Sequence, residues 1–214
     1  MPSNSIDVTD SRLFTPFTHP ESGVTSYVLT RKVAPLQQGF YFVNDSMSAD
    51  GRYLWFYCAF PPSGRTLGVV DFQTDEVRHY PETQFGEASP FVDTQTGAVY
   101  WQSGRCVWKR GPEPEASVEL INSVPGEVTG GRQVTRASTH LTLSADRKEF
   151  FIDIGVGLQY LFGSLPLDGG DFQLWHRFDR LHNHAQFSPT DPDKVLFFER
   201  DGGERILPAH SEAA

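Results

Sequence analysis

Between about residues 36 and 200 the chain repeats one pattern: a polar turn built around Asp, then a run of aromatic and branched residues. The first copy is FVNDSMSADGRYLWFYC, with its turn at Ser48-Ala49-Asp50-Gly51 and its apolar run at Tyr53 to Cys58. The second, GEASPFVDTQTGAVYWQ, has Asp93 in the turn and Val99 to Trp101 after it. The third, STHLTLSADRKEFFIDI, turns at Ser144-Ala145-Asp146 and runs from Phe150 to Ile154. The fourth, HNHAQFSPTDPDKVLFF, turns at Ser188-Pro189-Thr190-Asp191 and runs from Val195 to Phe198. Short apolar runs bounded by Ser, Asp, Gly and Pro predict strands joined by tight turns. No window of eleven or more residues carries the i, i+3, i+4, i+7 apolar stripe of a helix. The fold class is all-β.

Each unit continues with a second hairpin. Leu67 to Asp71 followed by Thr74 to Val77 reads as strand, turn, strand. Cys106 to Lys109 with Val118 to Ile121, and Phe162 to Leu165 with Phe172 to Trp175, repeat that reading. The turn aspartates lie 43, 53 and 45 residues apart, from Asp50 through Asp93 and Asp146 to Asp191. A period of roughly 40–50 residues fits four-stranded propeller blades. The expected architecture is therefore a β-propeller of about four blades of four antiparallel strands. Inner strands are expected near 40–46, 85–91, 138–144 and 182–188, with a longer loop at 125–135. Residues 13–32 read as a separate hairpin turning at Pro20 to Gly23, preceded by a flexible segment 1–12. The repeats fall at about 36–83, 84–125, 126–180 and 181–200, and residues 201–214 form a tail. Either the N-terminal hairpin completes the fourth blade, or the chain is the front part of a longer ring, such as a seven-bladed one. An unclosed ring exposes sheet edges, so self-association through an open edge is expected.

Composition narrows the function classes. With 18 Lys+Arg against 27 Asp+Glu the net charge is −9, which leaves no basic surplus to neutralise phosphates, so no nucleic-acid partner is expected. No apolar run approaches the roughly 20 residues of a membrane helix. The polar, acidic start resembles neither a signal nor a transit peptide, and a cytoplasmic location follows as the expectation. Two cysteines, Cys58 and Cys106, cannot build a disulfide framework or a cysteine-based zinc site, and both read as apolar packing.

Candidate chemistry comes from register. Counting back four residues from the turn serine, or from Phe91 in the second copy, gives Asn44, Glu87, His140 and His184. One equivalent position per repeat is expected to place these side chains on one rim. Two histidines, a carboxylate and an amide suit a small acidic sugar or a divalent metal, with His184 and His140 as the metal-binding candidates. Two-residue alternation puts His182 and Gln186 on the face of His184. Other motifs read as structure: Gly155-Val156-Gly157 lacks the third glycine and the helix of a phosphate loop. Likewise His182-Asn183-His184 lacks the helix that a nuclease metal fold needs. Tyr53, Trp55, Tyr100 and Trp101 read as core.

The order of these features resembles the N-terminal half of the oligogalacturonate lyases, seven-bladed propeller polysaccharide lyases. The opening THPESGVTSYVLT is similar to that family's first strand, and FYFVNDSMSADGRYLWF to its first blade. The most specific match is HNHAQFSPTDPDKVLFF, which resembles the fourth-blade signature. After it the family shows Cys-His-Glu-Gly, whereas this chain has Phe198-Glu199-Arg200-Asp201-Gly202. The resemblance implies β-elimination of short galacturonate oligomers and a Mn2+ cofactor, with an oligogalacturonate or other small acidic sugar as partner. It also implies that the family's catalytic histidine, arginine and manganese ligands lie on blades beyond the fourth, so weak or no lyase activity is expected of this chain. The contrasting expectation is a non-catalytic propeller that binds or scaffolds, like the translocation-protein-B type.

Overall fold

A computed structural model describes residues 7–86, 88–134, 136–199 and 203–208. Among these residues there are sixteen strands, one 3-10 turn at Val8–Asp10 and a single helical turn, α1 (Gly126–Thr129), inside the predicted long loop. The first hairpin is β1 (Phe14–Thr18) with β2 (Thr25–Leu29). A four-stranded sheet follows: β3 (Leu36–Gln38), β4 (Tyr53–Ala59), β5 (Arg65–Asp71) and β6 (Glu76–Phe85), in that order. The next contains β7 (Phe91–Val92), β8 (Val99–Ser103), β9 (Cys106–Arg110) and β10 (Glu119–Ser123). Two three-stranded sheets complete the described chain. One is β11 (Glu149–Val156), β12 (Gln159–Pro166) and β13 (Gln173–Phe178); the other is β14 (His182–Phe187), β15 (Lys194–Glu199) and β16 (Gly203–Pro208).

The turns form by local chemistry. Ser48 Oγ donates to Asp50 Oδ1 at 2.5 Å, and the Arg52 N–H donates to the same oxygen at 3.0 Å. Ser144 and Asp146 repeat the bond at 2.8 Å, and in the fourth copy the Asp193 N–H donates to Asp191 at 3.0 Å. Such side chains replace a backbone turn partner, so the turn is encoded by residues close in sequence. Gly97, at φ +72°, ends the Asp93 turn in the left-handed region that glycine enters without strain.

The inner edges of the repeats depart from the expected ladders. The predicted strand 182–188 is present as β14, but 138–144 is reduced to isolated bridges from His140 to Ser89 and from Leu143 to Phe150. The corresponding part of the first repeat keeps a Met47–Leu54 bridge, and that of the second the two residues of β7 and the Ser89 bridge to His140. The innermost segments of the first three repeats are therefore held by short bridges and side-chain contacts, and only the fourth, β14, forms a ladder among the described residues.

The chain divides into two compact units. Among the described residues, the first takes 7–84, 92–99 and 110–117; the second takes 85–91, 100–109 and 118–208. In the first, Leu13, Ala34, Phe56, Cys58, Val70 and Phe72 form a core, and burial pushes the Cys58 thiol up to about 12, far from reactive thiolate. Cys106 is only half-buried, less enclosed than its sequence context suggested. In the second unit β11 is buried on both faces. Phe150, Ile152, Ile154 and Val156 enter one core with Leu161 and Leu165, while Phe151 enters another with Phe162, Trp175, Phe187 and Phe197. Burial on both faces explains why β11 reads as a nearly continuous apolar run. Its exception is Asp153.

An imidazole pair and the carboxylate behind it

Of the four register positions, the structure brings two together. His140 Nε2 and His184 Nδ1 are 3.2 Å apart, with ring centroids 5.3 Å apart. Asn44 belongs to the first unit, in a turn where its N–H donates to the Tyr41 carbonyl at 2.9 Å. Glu87 lies outside the described residues.

The segment carrying His140 is fixed from three sides. The Gly155 N–H donates to the Arg136 carbonyl at 2.7 Å, the Leu141 N–H to Ser89 O at 3.1 Å, and the Phe151 N–H to Thr142 O at 3.0 Å. The Thr142 hydroxyl accepts from the Phe187 N–H at 3.1 Å, which ties the same segment to β14. His140 is buried, and burial, together with the charges of His184 and Arg136, pushes its imidazolium down to about 4. At neutral pH His140 is a neutral imidazole that donates from one nitrogen and accepts at the other.

The expected shared face of His182, His184 and Gln186 is corrected by a bulge. In the β14–β15 register Asn183 faces Phe198, yet Gln186 already faces Leu196, so β14 carries one extra residue. His184 takes up the irregularity at φ +51°, a left-handed conformation uncommon outside glycine. The extra residue reverses the alternation. His182, Ala185 and Phe187 turn into the aromatic core, while His184 turns to His140. His182 stacks 3.9 Å from Phe178, edge-on to Phe162 and Phe197, and its Nδ1–H donates to the Arg180 carbonyl at 2.9 Å. It is a packed core histidine.

Behind the pair sits a charge cluster that register counting missed. Asp153, 1% exposed, accepts at Oδ2 from Thr139 Oγ1 at 2.5 Å and from Arg136 at 3.2 Å. The same Arg136 nitrogen donates to the His182 carbonyl at 2.6 Å. Burial pushes the Asp153 carboxyl up to about 6, against the opposing pull of Arg136 and Thr139. The available signal was one carboxylate in the otherwise apolar run Phe150 to Val156, a placement that demands a partner.

Mn2+ favours oxygen ligands in addition to imidazole. Among the described residues no group of three His, Cys, Asp or Glu side chains could hold a metal ion, and the two imidazole nitrogens that meet are bonded to each other. The described residues do not fit a complete manganese centre. A cavity of about 540 Å³ in the second unit, lined by Asp146, Lys148, Glu149, Asp168 and Asp193 among others, contains neither histidine. Arg147 and Lys148 stand there beside four carboxylates, and the net negative charge of the lining disfavours an anionic sugar.

Comparison with solved structures decides the architecture. An oligogalacturonate lyase from Vibrio parahaemolyticus superposes with a TM-score of 0.75 at 15% identity, covering 94% of this chain and 57% of that one. An oligogalacturonate lyase in complex with manganese gives 0.72 at 15% identity, covering 92% and 57%. The fold is that of a β-propeller. TolB from Acinetobacter baumannii, at 0.56 and 16% identity over 89% of this chain and 45% of its own, shares it. The chain thus spans under two thirds of the length of these structures. No family profile and no curated protein matches the sequence. No helix among the described residues is long and apolar enough to cross a membrane.

Proposed function

We propose that this chain is an oligogalacturonate lyase-like propeller segment that binds a short uronate oligomer, or a similar small acidic sugar, at His140 and His184. The observation that carries the reading is the contact of two imidazoles from successive repeats, one of them buried and neutral, with the other on a strained bulge. Backbone strain of that kind persists where surrounding structure enforces it, and it concentrates at binding sites. A neutral imidazole such as His140 accepts from a sugar hydroxyl or donates to a carboxylate without the cost of a buried charge.

Turnover by these residues alone is expected to be weak or absent. β-Elimination needs a base at the proton beside the uronate carboxylate and positive charge to stabilise that carboxylate as electrons enter it. An imidazole can take the proton. The nearby cation, Arg136, is already engaged by Asp153 and the His182 carbonyl. That engagement also favours the second reading, a binding propeller without catalysis, and the likeness to TolB supports it.

Digalacturonate tests both. Calorimetric titration should give binding that His184→Ala weakens at least tenfold, and ultraviolet absorbance should show little or no unsaturated uronate. Binding with no turnover supports the sugar site; robust turnover abolished by His184→Ala would show a complete catalytic centre. Absence of binding to the unaltered chain would sink the sugar reading.

A further inference from the structure

We infer that Asp153 is a positioning residue that sets the His140–His184 contact from behind. Its Oδ2 reaches both sides of the pair at once. Through Thr139 it holds the residue before His140, at 2.5 Å. Through Arg136, at 3.2 Å, it aims a guanidinium nitrogen at the His182 carbonyl, two residues before His184 and at the start of the bulge. Asp153 shares a face of β11 with Phe151, so the rigid aromatic core on that face fixes where the carboxylate stands. One oxygen thereby links two segments that lie 44 residues apart in sequence.

The arrangement is poor for stability, which argues that it serves the contact. Asp153 Oδ1 and Arg136 Nε are buried and make no hydrogen bond among the described residues. A buried ion pair whose remaining valences are unfilled gains little over apolar packing. A Leu or Val at position 153 would suit the core better and would leave Thr139 and Arg136 without their common acceptor. The inference stands on this geometry and goes beyond the sugar-binding reading, because its readout needs no ligand.

The test is the imidazole nitrogen spectrum of the full chain labelled with 15N-histidine. In the unaltered protein the His140 and His184 nitrogens should show a fixed N–H···N pattern, distinct from exposed His19. Asp153→Asn, which keeps the shape but releases Arg136, should move both sets of signals towards those of His19. Thr139→Val, which removes one tether, should move the His140 set more than the His184 set. Ile152→Val, on the opposite face of β11, should leave both sets in place while lowering stability. A folded Asp153→Asn protein with unmoved signals would overturn the inference, as would an equal movement in Ile152→Val. If Asp153→Asn does not fold, Thr139→Val decides, and unmoved His140 signals in it overturn the inference.

Discussion

Asp71 in the first unit and Asp153 in the second are each 1% exposed, yet burial has opposite outcomes for them. Asp71 ends β5. Its Oδ1 accepts from Arg52 Nε at 3.2 Å and from the Gln73 N–H at 3.0 Å, while its Oδ2 accepts from Arg52 at 3.1 Å and from Arg78 at 3.3 Å. Burial raises its carboxyl, but two guanidiniums and a backbone donor outweigh burial and hold it below the usual carboxylate range. Asp153 has one guanidinium, the Thr139 hydroxyl and nearby backbone N–H groups against a much heavier desolvation, and burial wins. Depth of desolvation and the number of charged donors together decide how far a buried carboxylate shifts, and Asp153 lies deeper with one guanidinium where Asp71 has two. Asp71 closes a strand and its turn; Asp153 stands under-satisfied behind two histidines.

That contrast sets the size of each expected effect. Asp71→Ala should cost the most, about 3–5 kcal/mol by urea unfolding, because it leaves Arg52 and Arg78 facing a vacated carboxylate site. If Asp153→Ala cost as much, the distinction between the two carboxylates would collapse.

Acid titration separates Asp153 from His140. Asp153 binds its proton more readily folded, so its contribution is present below the unfolded value of 3.8 and is lost as pH rises through about 6. His140 runs the other way: its contribution is present above 6.5 and is lost as pH falls through about 4. Each amounts to about 3 kcal/mol, and between pH 4 and 6 the two slopes oppose each other. Asp153→Asn should uncover the histidine slope. Its urea midpoint, measured at pH 6.5, 5.5 and 4.5, should fall more steeply than that of the unaltered protein. Parallel profiles would contradict the two assignments.

The two histidines of β14 sharpen the comparison further. His182→Ala empties a packed aromatic site and should cost about 2–3 kcal/mol in thermal or urea unfolding. His184→Gly should cost under about 1 kcal/mol, since glycine accepts the φ of +51° freely, yet it should weaken digalacturonate binding at least tenfold. Equal stability losses at the two positions would remove the distinction between core and site.

Sequence alone reached most of the strands because their signals are local. Ser48–Asp50 and Ser144–Asp146 form their turns within a few residues, and the runs at Tyr53, Val99, Phe150 and Val195 lie within β4, β8, β11 and β15. The same register put His140 and His184 in one candidate set, and the structure brings them within hydrogen-bond distance. Two things were not legible. The inner segment at 138–144 forms single bridges where an extended pattern suggested a strand, because its own side chains tie it down: Thr142 Oγ1 accepts from the Phe187 N–H and Thr139 Oγ1 donates to Asp153 Oδ2. The face of His182 depends on one extra residue in β14, which alternation cannot register. Arg136 and Asp153 meet only after β11 and the inner segment have packed, and nothing near either residue in sequence signals the other.

The central claim is that the imidazole pair, held on its bulge, is where an acidic sugar binds. Titration calorimetry of digalacturonate into the unaltered chain and into His184→Gly tests it most directly. The account predicts measurable binding to the first and at least a tenfold weaker affinity for the second, with both proteins equally folded by circular dichroism. Unchanged affinity in folded His184→Gly would contradict it.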